Sequence, residues 1–242
     1  MSEIASGRYL RPLALLVSSA ALFALTAAGS PPARAALVVV QPRQELVALF
    51  GAHKVHAAHA ARSALVGVVP PTAPITGSRT VLPVLGRHGR WVKVRLPGRP
   101  NGHAGWISAH ATVRAFTSFH IVVDTSRRLV RVYRAGRPVR SFRAVVGKPS
   151  TPTPVGEFFV EESIALRAGD VGAPFALALS ARSNVLQEFD GGPGQIALHG
   201  LANVGGVPGT AVSHGCVRLD EQAMRWLAAR IGPGVPVTIV RG

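Results

Sequence analysis

The stretch Ser213-His214-Gly215-Cys216-Val217-Arg218-Leu219 contains the only cysteine of this 242-residue chain. A thiol with an ordinary pKa of about 8.5 is mostly protonated at neutral pH, so a nucleophilic cysteine needs a base or a cation beside it. His214 and the more distant His199 are candidate bases, and Arg218 carries a cationic fork suited to a carboxylate. Gly215 can adopt backbone conformations closed to other residues, which would let successive amides converge as an oxyanion hole. The stretch therefore predicts a reactive cysteine.

Other interpretations fit the same residues. Cys216 could be a buried structural thiol, since free cysteine is often buried and inert. His199, His214 and Cys216 together offer three ligands for zinc, although their spacing matches no common zinc pattern. Arg218 could form an ion pair with the adjacent acids at positions 220 and 221 instead of binding a substrate.

The composition outside this stretch favours a protein built mainly from short strands. The chain is 48% hydrophobic, and its 26 glycines and 19 prolines indicate many turns. Residues 162–194 show no clear pattern and are predicted to be irregular. Strands are predicted at residues 81–85, 91–96, 105–107, 120–124, 129–134, 139–147, 158–161, 195–198 and 235–240.

One helix is predicted directly after the cysteine stretch. Asp220 is a suitable N-cap, and Met224, Leu227 and Ile231 form an apolar stripe at helical spacing. The pair Gly232-Pro233 is expected to end the helix.

The N-terminus has the pattern of a secretory signal. Arg8 and Arg11 precede an uncharged apolar run at residues 13–28, and Ala33-Arg34-Ala35 offers a cleavage site after Ala35. Residues 1–35 are therefore predicted to be a signal peptide, with an uncleaved membrane anchor as the alternative. Either way the protein is expected to be exported to the periplasm or cell wall.

The next part of the chain is divided into two regions. Residues 36–73 are rich in Ala, Val and Pro and are predicted to be a linker with one helical stretch. Within it His53, His56 and His59 recur every third residue, but no carboxylate or cysteine supports a metal site there. Residues 74–115, with two tryptophans in alternating runs, resemble a bacterial SH3-like module, a small β-barrel.

Charge is concentrated in the N-terminal half of the exported chain. Residues 36–116 contain 10 basic residues and one acid, Glu45, and the chain without its signal has a net charge of +14. Such a basic protein could bind nucleic acid, but export argues against that partner. An anionic cell-wall polymer is the better prediction.

Several motifs place residues 117–242 in a known family by resemblance. His199-Gly200 at a strand end, the stretch around Cys216, the elbow Thr151-Pro152-Thr153-Pro154-Val155-Gly156-Glu157-Phe158 and the closing motif at 234–239 together resemble the L,D-transpeptidase catalytic domain, the YkuD family. One departure is Leu201, where the family often has threonine.

The resemblance implies a mostly β catalytic domain, an L,D-transpeptidase-type β-sandwich or barrel with one or two short helices. It implies that Cys216 attacks the substrate, that His199 is the general base, and that amides around His214 and Gly215 hold the oxyanion. His214 and Ser213 would shape the turn and position the catalytic pair. Substrate-binding roles are expected for Arg218, Ser213 and Gly200, and Arg218 would bind the carboxylate of the donor peptide or hold the loop itself.

The implied reaction acts on peptidoglycan stem peptides. Cys216 would form a thioester with release of D-alanine, and an amine of a second stem peptide would then complete a 3→3 crosslink without metal or organic cofactor. Carbapenem-type β-lactams are expected inhibitors. Two alternatives are an L,D-carboxypeptidase, in which water replaces the amine, and a cell-wall-binding protein with a vestigial site.

Overall fold

The structure is a computed structural model that describes residues 38–189 and 191–242. The predicted signal peptide, residues 1–35, lies outside the described residues. No helix in the described part is long and apolar enough to cross a membrane.

The first seven strands form one antiparallel sheet, the N-terminal sheet, in the order β3-β2-β6-β5-β4-β1-β7. Alternate residues of β5 point into its core, so Val92 and Val94 are fully buried as their spacing predicts. The strands are β1 (Gln44–Leu49), β2 (His53–His56), β3 (Leu65–Val69), β4 (Val81–His88), β5 (Trp91–Arg95), β6 (Ala104–Ser108) and β7 (Thr112–Thr117).

The prediction of a linker with one helical stretch at residues 36–73 is wrong for the described residues. Strands β1, β2 and β3 occupy this region, and they belong to the same sheet as β4 to β7. His53 and His56 therefore lie on a strand, and His59 follows in the next loop. Within the described residues, no group of three His, Cys, Asp or Glu side chains is placed to hold a metal ion.

The remaining elements build the C-terminal sheet, in the order β10-β9-β8-β17-β12-β13-β14-β16, with a separate pair of β11 and β15. Its core includes Ile121, Phe158, Leu198 and Leu219, and Met224 of the helix packs into it. The elements are β8 (Phe119–Asp124), β9 (Leu129–Arg134), β10 (Arg137–Arg143), β11 (Val146–Gly147), β12 (Gly156–Ala165), β13 (Phe175–Arg182), β14 (Gln195–His199), β15 (Ala211–Ser213), β16 (Val217–Arg218), α1 (Glu221–Ala228) and β17 (Pro236–Val240).

The mostly β fold class and the helix after the cysteine stretch are confirmed, but α1 ends at Ala228, before the predicted stop at Gly232-Pro233, so Ile231 lies beyond the helix. Asp220 is the N-cap of α1, and its carboxylate accepts a hydrogen bond from the Ala223 amide at 2.7 Å. The prediction that residues 162–194 are irregular is wrong in part, because β13 runs through the middle of this stretch. This strand is buried on both faces over Leu177 to Ala181, so its sequence lacks the alternation that marks a half-buried strand.

The two sheets share an interface. Phe159 of β12 belongs to the hydrophobic core of the N-terminal sheet. Glu162, on the same strand, is fully buried, and its carboxylate accepts hydrogen bonds from the amides of Ile75 and Thr76 at 3.3 and 2.7 Å. These hydrogen bonds satisfy the buried Glu162 carboxylate and tie the segment before β4 to the C-terminal sheet.

Candidate active site

Parallel pairing of β14 with β16 brings the predicted nucleophile and base together. Leu198 lies opposite Val217, and His199 lies opposite Arg218. Cys216 directly precedes β16, so one further step of this register places it beside Ala197. Because residues two apart on a strand share a face, Cys216 and His199 lie on the same side of the sheet edge.

The His199 ring is fixed by the backbone around it. Nδ1 is 2.8 Å from the Gly200 carbonyl oxygen, so Nδ1 carries the proton and Nε2 has the free lone pair. A Cβ atom on Gly172 would lie 2.5 Å from Nδ1, so this glycine allows the chain to pass close against the ring. Burial lowers the pKa of His199 against the opposing effect of the Gly200 hydrogen bond, and the Arg218 charge lowers it further.

The Cys216 thiol lies at the start of the same strand pair. Its Sγ is 3.9 Å from the Gln195 carbonyl oxygen, and no hydrogen bond links it to His199 within the described residues. Burial raises the pKa of Cys216 and outweighs the Ala197 amide and the Arg218 charge, which favour the thiolate. The resting pair is therefore a neutral thiol and a neutral imidazole.

Ser213 shapes the turn that carries the cysteine. Its hydroxyl donates a hydrogen bond to the Cys216 carbonyl at 2.6 Å and accepts one from the Gly215 amide at 3.1 Å. The structure therefore shows the turn-shaping role predicted for Ser213, and the side chain is fully buried, which leaves it no surface for the predicted substrate contact.

The turn also limits which amides could hold an oxyanion. Gly215 has a φ of 126°, in the region that favours glycine, as predicted. Its own amide is already bonded to Ser213, whereas no acceptor is found within the described residues for the amides of His214 and Cys216. The candidate oxyanion hole is therefore narrowed to these two N–H groups.

The His214 side chain is exposed. Its ring lies against Phe189, in the described part of the loop between β13 and β14, with centroids 5.4 Å apart. His214 therefore forms part of the surface beside the thiol.

Arg218 holds the loop that joins His199 to the cysteine stretch. It is buried, and its Nη1 donates to the carbonyl oxygens of Val204 and Gly205 at 3.1 and 3.2 Å. The alternative ion pair with a neighbouring acid is wrong, because Asp220 caps α1 and Glu221 pairs with Arg225. Of the roles predicted for Arg218, the structure shows that it holds the loop between His199 and the cysteine stretch through these hydrogen bonds.

Gly200 is required by close backbone packing. A Cβ atom at this position would overlap the Ala173 carbonyl oxygen, and the Gly200 amide donates to Gly172 at 2.7 Å. Gly200 is also buried, so the predicted substrate contact is corrected to a structural role under the loop between β12 and β13. Asn203 closes the same loop by donating to Ala168 and Asp170 carbonyls at 3.3 and 3.2 Å.

Two threonines of the proline-rich elbow support the cysteine turn, and their role was not predicted from sequence. Thr153 Oγ1 donates to the Gly215 carbonyl at 2.8 Å and accepts from the Gly147 amide at 2.9 Å. Thr151 Oγ1 donates to the Ser213 carbonyl at 3.3 Å. Both are buried although they lie in a segment that prolines keep out of a ladder, and that combination is the signal that could have revealed them.

Comparison with known families identifies the domain that contains this site. A family model described as the L,D-transpeptidase catalytic domain, YkuD, matches residues 118–239. The chain belongs to this family. The predicted enzyme class, an L,D-transpeptidase of peptidoglycan crosslinking, is therefore confirmed, as is the resemblance of residues 117–242.

Individual relatives have the same description. The chain is 26% identical over 221 residues to L,D-transpeptidase 1 of Mycobacterium tuberculosis, covering 74% of this chain and 82% of that protein. It is 31% identical over 124 residues to the putative L,D-transpeptidase YkuD of Bacillus licheniformis, covering 50% and 65%.

Solved structures of similar proteins include an L,D-transpeptidase from Mycobacterium smegmatis, with a TM-score of 0.40 and 17% identity, covering 77% of this chain and 99% of that one. Another is LdtMt1 in complex with imipenem, with a TM-score of 0.42 and 18% identity, covering 71% and 100%.

Proposed function

We propose that Cys216 is the nucleophile of this L,D-transpeptidase and His199 its general base. The observation that carries this assignment is the hydrogen bond from His199 Nδ1 to Gly200, which leaves Nε2 as the proton acceptor on the sheet edge where the thiol lies. Because burial favours the neutral form of both groups, the thiol proton is transferred as attack begins rather than before substrate binds.

In the first half-reaction, Sγ bonds to the carbonyl carbon that joins the L-centre of a stem-peptide diamino acid to a terminal D-alanine. The thiol proton passes to His199 Nε2, and the amides of His214 and Cys216 stabilise the negative oxygen. The C–N bond then breaks, and the imidazolium returns its proton to the leaving amine. D-Alanine departs, and a thioester on Cys216 remains.

In the second half-reaction, an amine of another stem peptide attacks the thioester. The proton lost by the amine is taken up by His199 and then returned to the sulfur as the C–S bond breaks, so the enzyme is restored. The product is a 3→3 crosslink. Water in place of the amine would give the L,D-carboxypeptidase reaction, and the two outcomes share the same thioester.

Residues 74–115 of the N-terminal sheet are proposed to be the SH3-like module, and the whole sheet is proposed to bind anionic cell-wall polymers. Support comes from its charge, since residues 36–116 contain 10 basic residues against Glu45 alone, and that carboxylate is itself paired with Arg87 and Arg114. Export through the segment at 1–35 is proposed with it, because these polymers lie outside the cytoplasm.

The thioester gives a direct test of Cys216. Carbapenems are proposed as inhibitors because their strained carbonyl would acylate the same sulfur. We expect incubation with a carbapenem to raise the intact mass of the full chain by one drug molecule and to leave Cys216→Ala unchanged. The assignment is contradicted if the variant is modified as fast as the wild type, or if a folded wild type is never modified.

A further inference from the structure

The loop between β5 and β6 of the N-terminal sheet, residues 96–103, lies against the end of β13. The Gly98 amide donates to the Ser180 carbonyl at 3.2 Å. Asn101 is engaged on both sides of its side-chain amide: Nδ2 donates to the Arg182 carbonyl at 2.7 Å, and Oδ1 accepts from the Arg182 amide at 2.8 Å. The Asn101 side chain therefore pairs with the peptide groups of Arg182 much as a neighbouring strand would.

Arg99, in the same loop, joins the two ends of the loop between β13 and β14. Its Nη2 donates to the carbonyl oxygens of Ser183 and Leu186 at 2.8 and 3.2 Å, and its Nη1 donates to that of Pro193 at 2.9 Å. A Cβ atom on Gly194 would overlap the Leu186 carbonyl, so the two ends pack closely where the guanidinium binds them. One planar fork thus fixes three carbonyls that lie 84 to 94 residues further along the chain than Arg99.

Both ends of this loop lead directly to the candidate active site. Arg182, which Asn101 holds, lies opposite Gln195 in the ladder of β13 and β14. The Gln195 carbonyl is the group that lies 3.9 Å from Cys216 Sγ. Nearer the middle of the loop, Phe189 contacts the ring of His214.

We propose that Arg99 and Asn101 are positioning residues for the transpeptidation reaction, through which the N-terminal sheet sets the start of β14 and so the place of the Cys216 thiol. Neither residue touches the reacting atoms. The inference rests on the proposed role of Cys216, and it makes the N-terminal sheet part of the catalytic machinery rather than a tether alone.

Arg99 and Asn101 form a clamp between the two sheets. A clamp that only stabilises the interface and a clamp that positions Gln195 predict different effects when these two residues are replaced. If the contacts only stabilise the interface, their loss lowers the thermal midpoint and leaves the thiol as it was. If they place Gln195, their loss lets water reach the sulfur, and the pKa of Cys216 falls toward its ordinary value because burial is what raises it. Acylation would nevertheless slow, since the thiol is no longer held in line with His199.

The test uses the full chain with Arg99→Ala, Arg99→Lys and Asn101→Ala. The Lys variant keeps the charge but loses the fork, so it separates geometry from net charge. Arg90→Ala is the matched control, because Arg90 is an exposed arginine in the turn between β4 and β5, with no side-chain hydrogen bond in the described part of the chain. For each protein, the rate of Cys216 alkylation by iodoacetamide is measured against pH, together with the carbapenem acylation rate and the thermal midpoint.

We expect all three clamp variants to move the alkylation midpoint to lower pH, by about 0.5 to 1 unit, and to slow acylation about tenfold, with Arg90→Ala unchanged. A wild-type pH profile and acylation rate in folded clamp variants would overturn the proposal, whatever their thermal midpoints. If wild type is alkylated but never acylated, the proposed function fails, while the pH profiles still decide whether the clamp places the thiol.

Discussion

At the residue scale, burial acts on Cys216 and His199 so that both are uncharged at rest. Burial raises the pKa of the Cys216 thiol and lowers that of the His199 imidazole, and the charge of Arg218 lowers the thiol pKa by less than burial raises it. A neutral pair avoids holding a desolvated thiolate before substrate arrives. Attack and proton transfer are therefore coupled, with the substrate oxyanion as the negative charge that the site has to stabilise.

His120 gives a separate prediction at this scale. Its Nε2 is 2.7 Å from Thr238 Oγ1, which in turn donates to Glu157 at 3.0 Å, and burial lowers the pKa of His120 to about 4. Between about pH 6.5 and 4 the unfolded chain binds a proton at this position that the folded chain does not. Its contribution to stability is therefore complete above about pH 6.5 and is lost as pH falls through 4.

We expect urea unfolding measured at several pH values to show a loss of up to about 3 kcal/mol from this group between pH 6.5 and 4. His120→Gln should remove that part of the pH dependence, and the exposed His110→Gln should retain it. Equal slopes for His120→Gln and wild type across this range would show that His120 does not contribute.

At the element scale, the proline-rich elbow is the support of the cysteine turn. Thr153 is bonded at once to Gly215 and, through the Gly147 amide, to the short strand β11, which pairs with β15 just before the turn. A Cβ atom on Gly147 would overlap the Thr153 backbone, so the two segments touch without any side chain between them.

Thr153→Val tests this support because it keeps the shape of the side chain and removes both hydrogen bonds. Two buried backbone groups lose their partner, so we expect a loss of about 1 to 3 kcal/mol in unfolding free energy and a slower acylation of Cys216. Thr112→Val, which removes a threonine hydroxyl bond in the N-terminal sheet, is the control for stability alone. Wild-type acylation in Thr153→Val would contradict the role of the elbow.

Sequence reasoning succeeded for elements with a regular pattern and for residues carried by motifs. The helix had a cap and an apolar stripe, and β5 and β9 had clear alternation, so both kinds of element were predicted. Strand β3 was missed because its sequence, Leu-Val-Gly-Val-Val, has no alternation of apolar and polar residues that would mark a buried face. Ser213 and Gly200 were assigned to substrate because a motif shows which residues recur near a site but not which way they face.

At the scale of the whole molecule, the two sheets are joined through β12 and through the loop between β5 and β6. Phe159 lies in the core of the N-terminal sheet, and Glu162 binds the amides before β4. Arg99 extends the same contact to the loop that leads into β14. These contacts join residues far apart in the chain, which is why the sequence alone did not predict them.

Product analysis with a stem tetrapeptide substrate tests most directly whether this protein forms 3→3 crosslinks through a thioester on Cys216. We expect the purified full chain to release D-alanine and to form 3→3 dimers in equal amounts, as resolved by liquid chromatography and mass spectrometry, and we expect folded Cys216→Ala to form neither. Release of D-alanine without dimers would show that water completes the reaction, and dimers formed by Cys216→Ala would contradict the thioester mechanism.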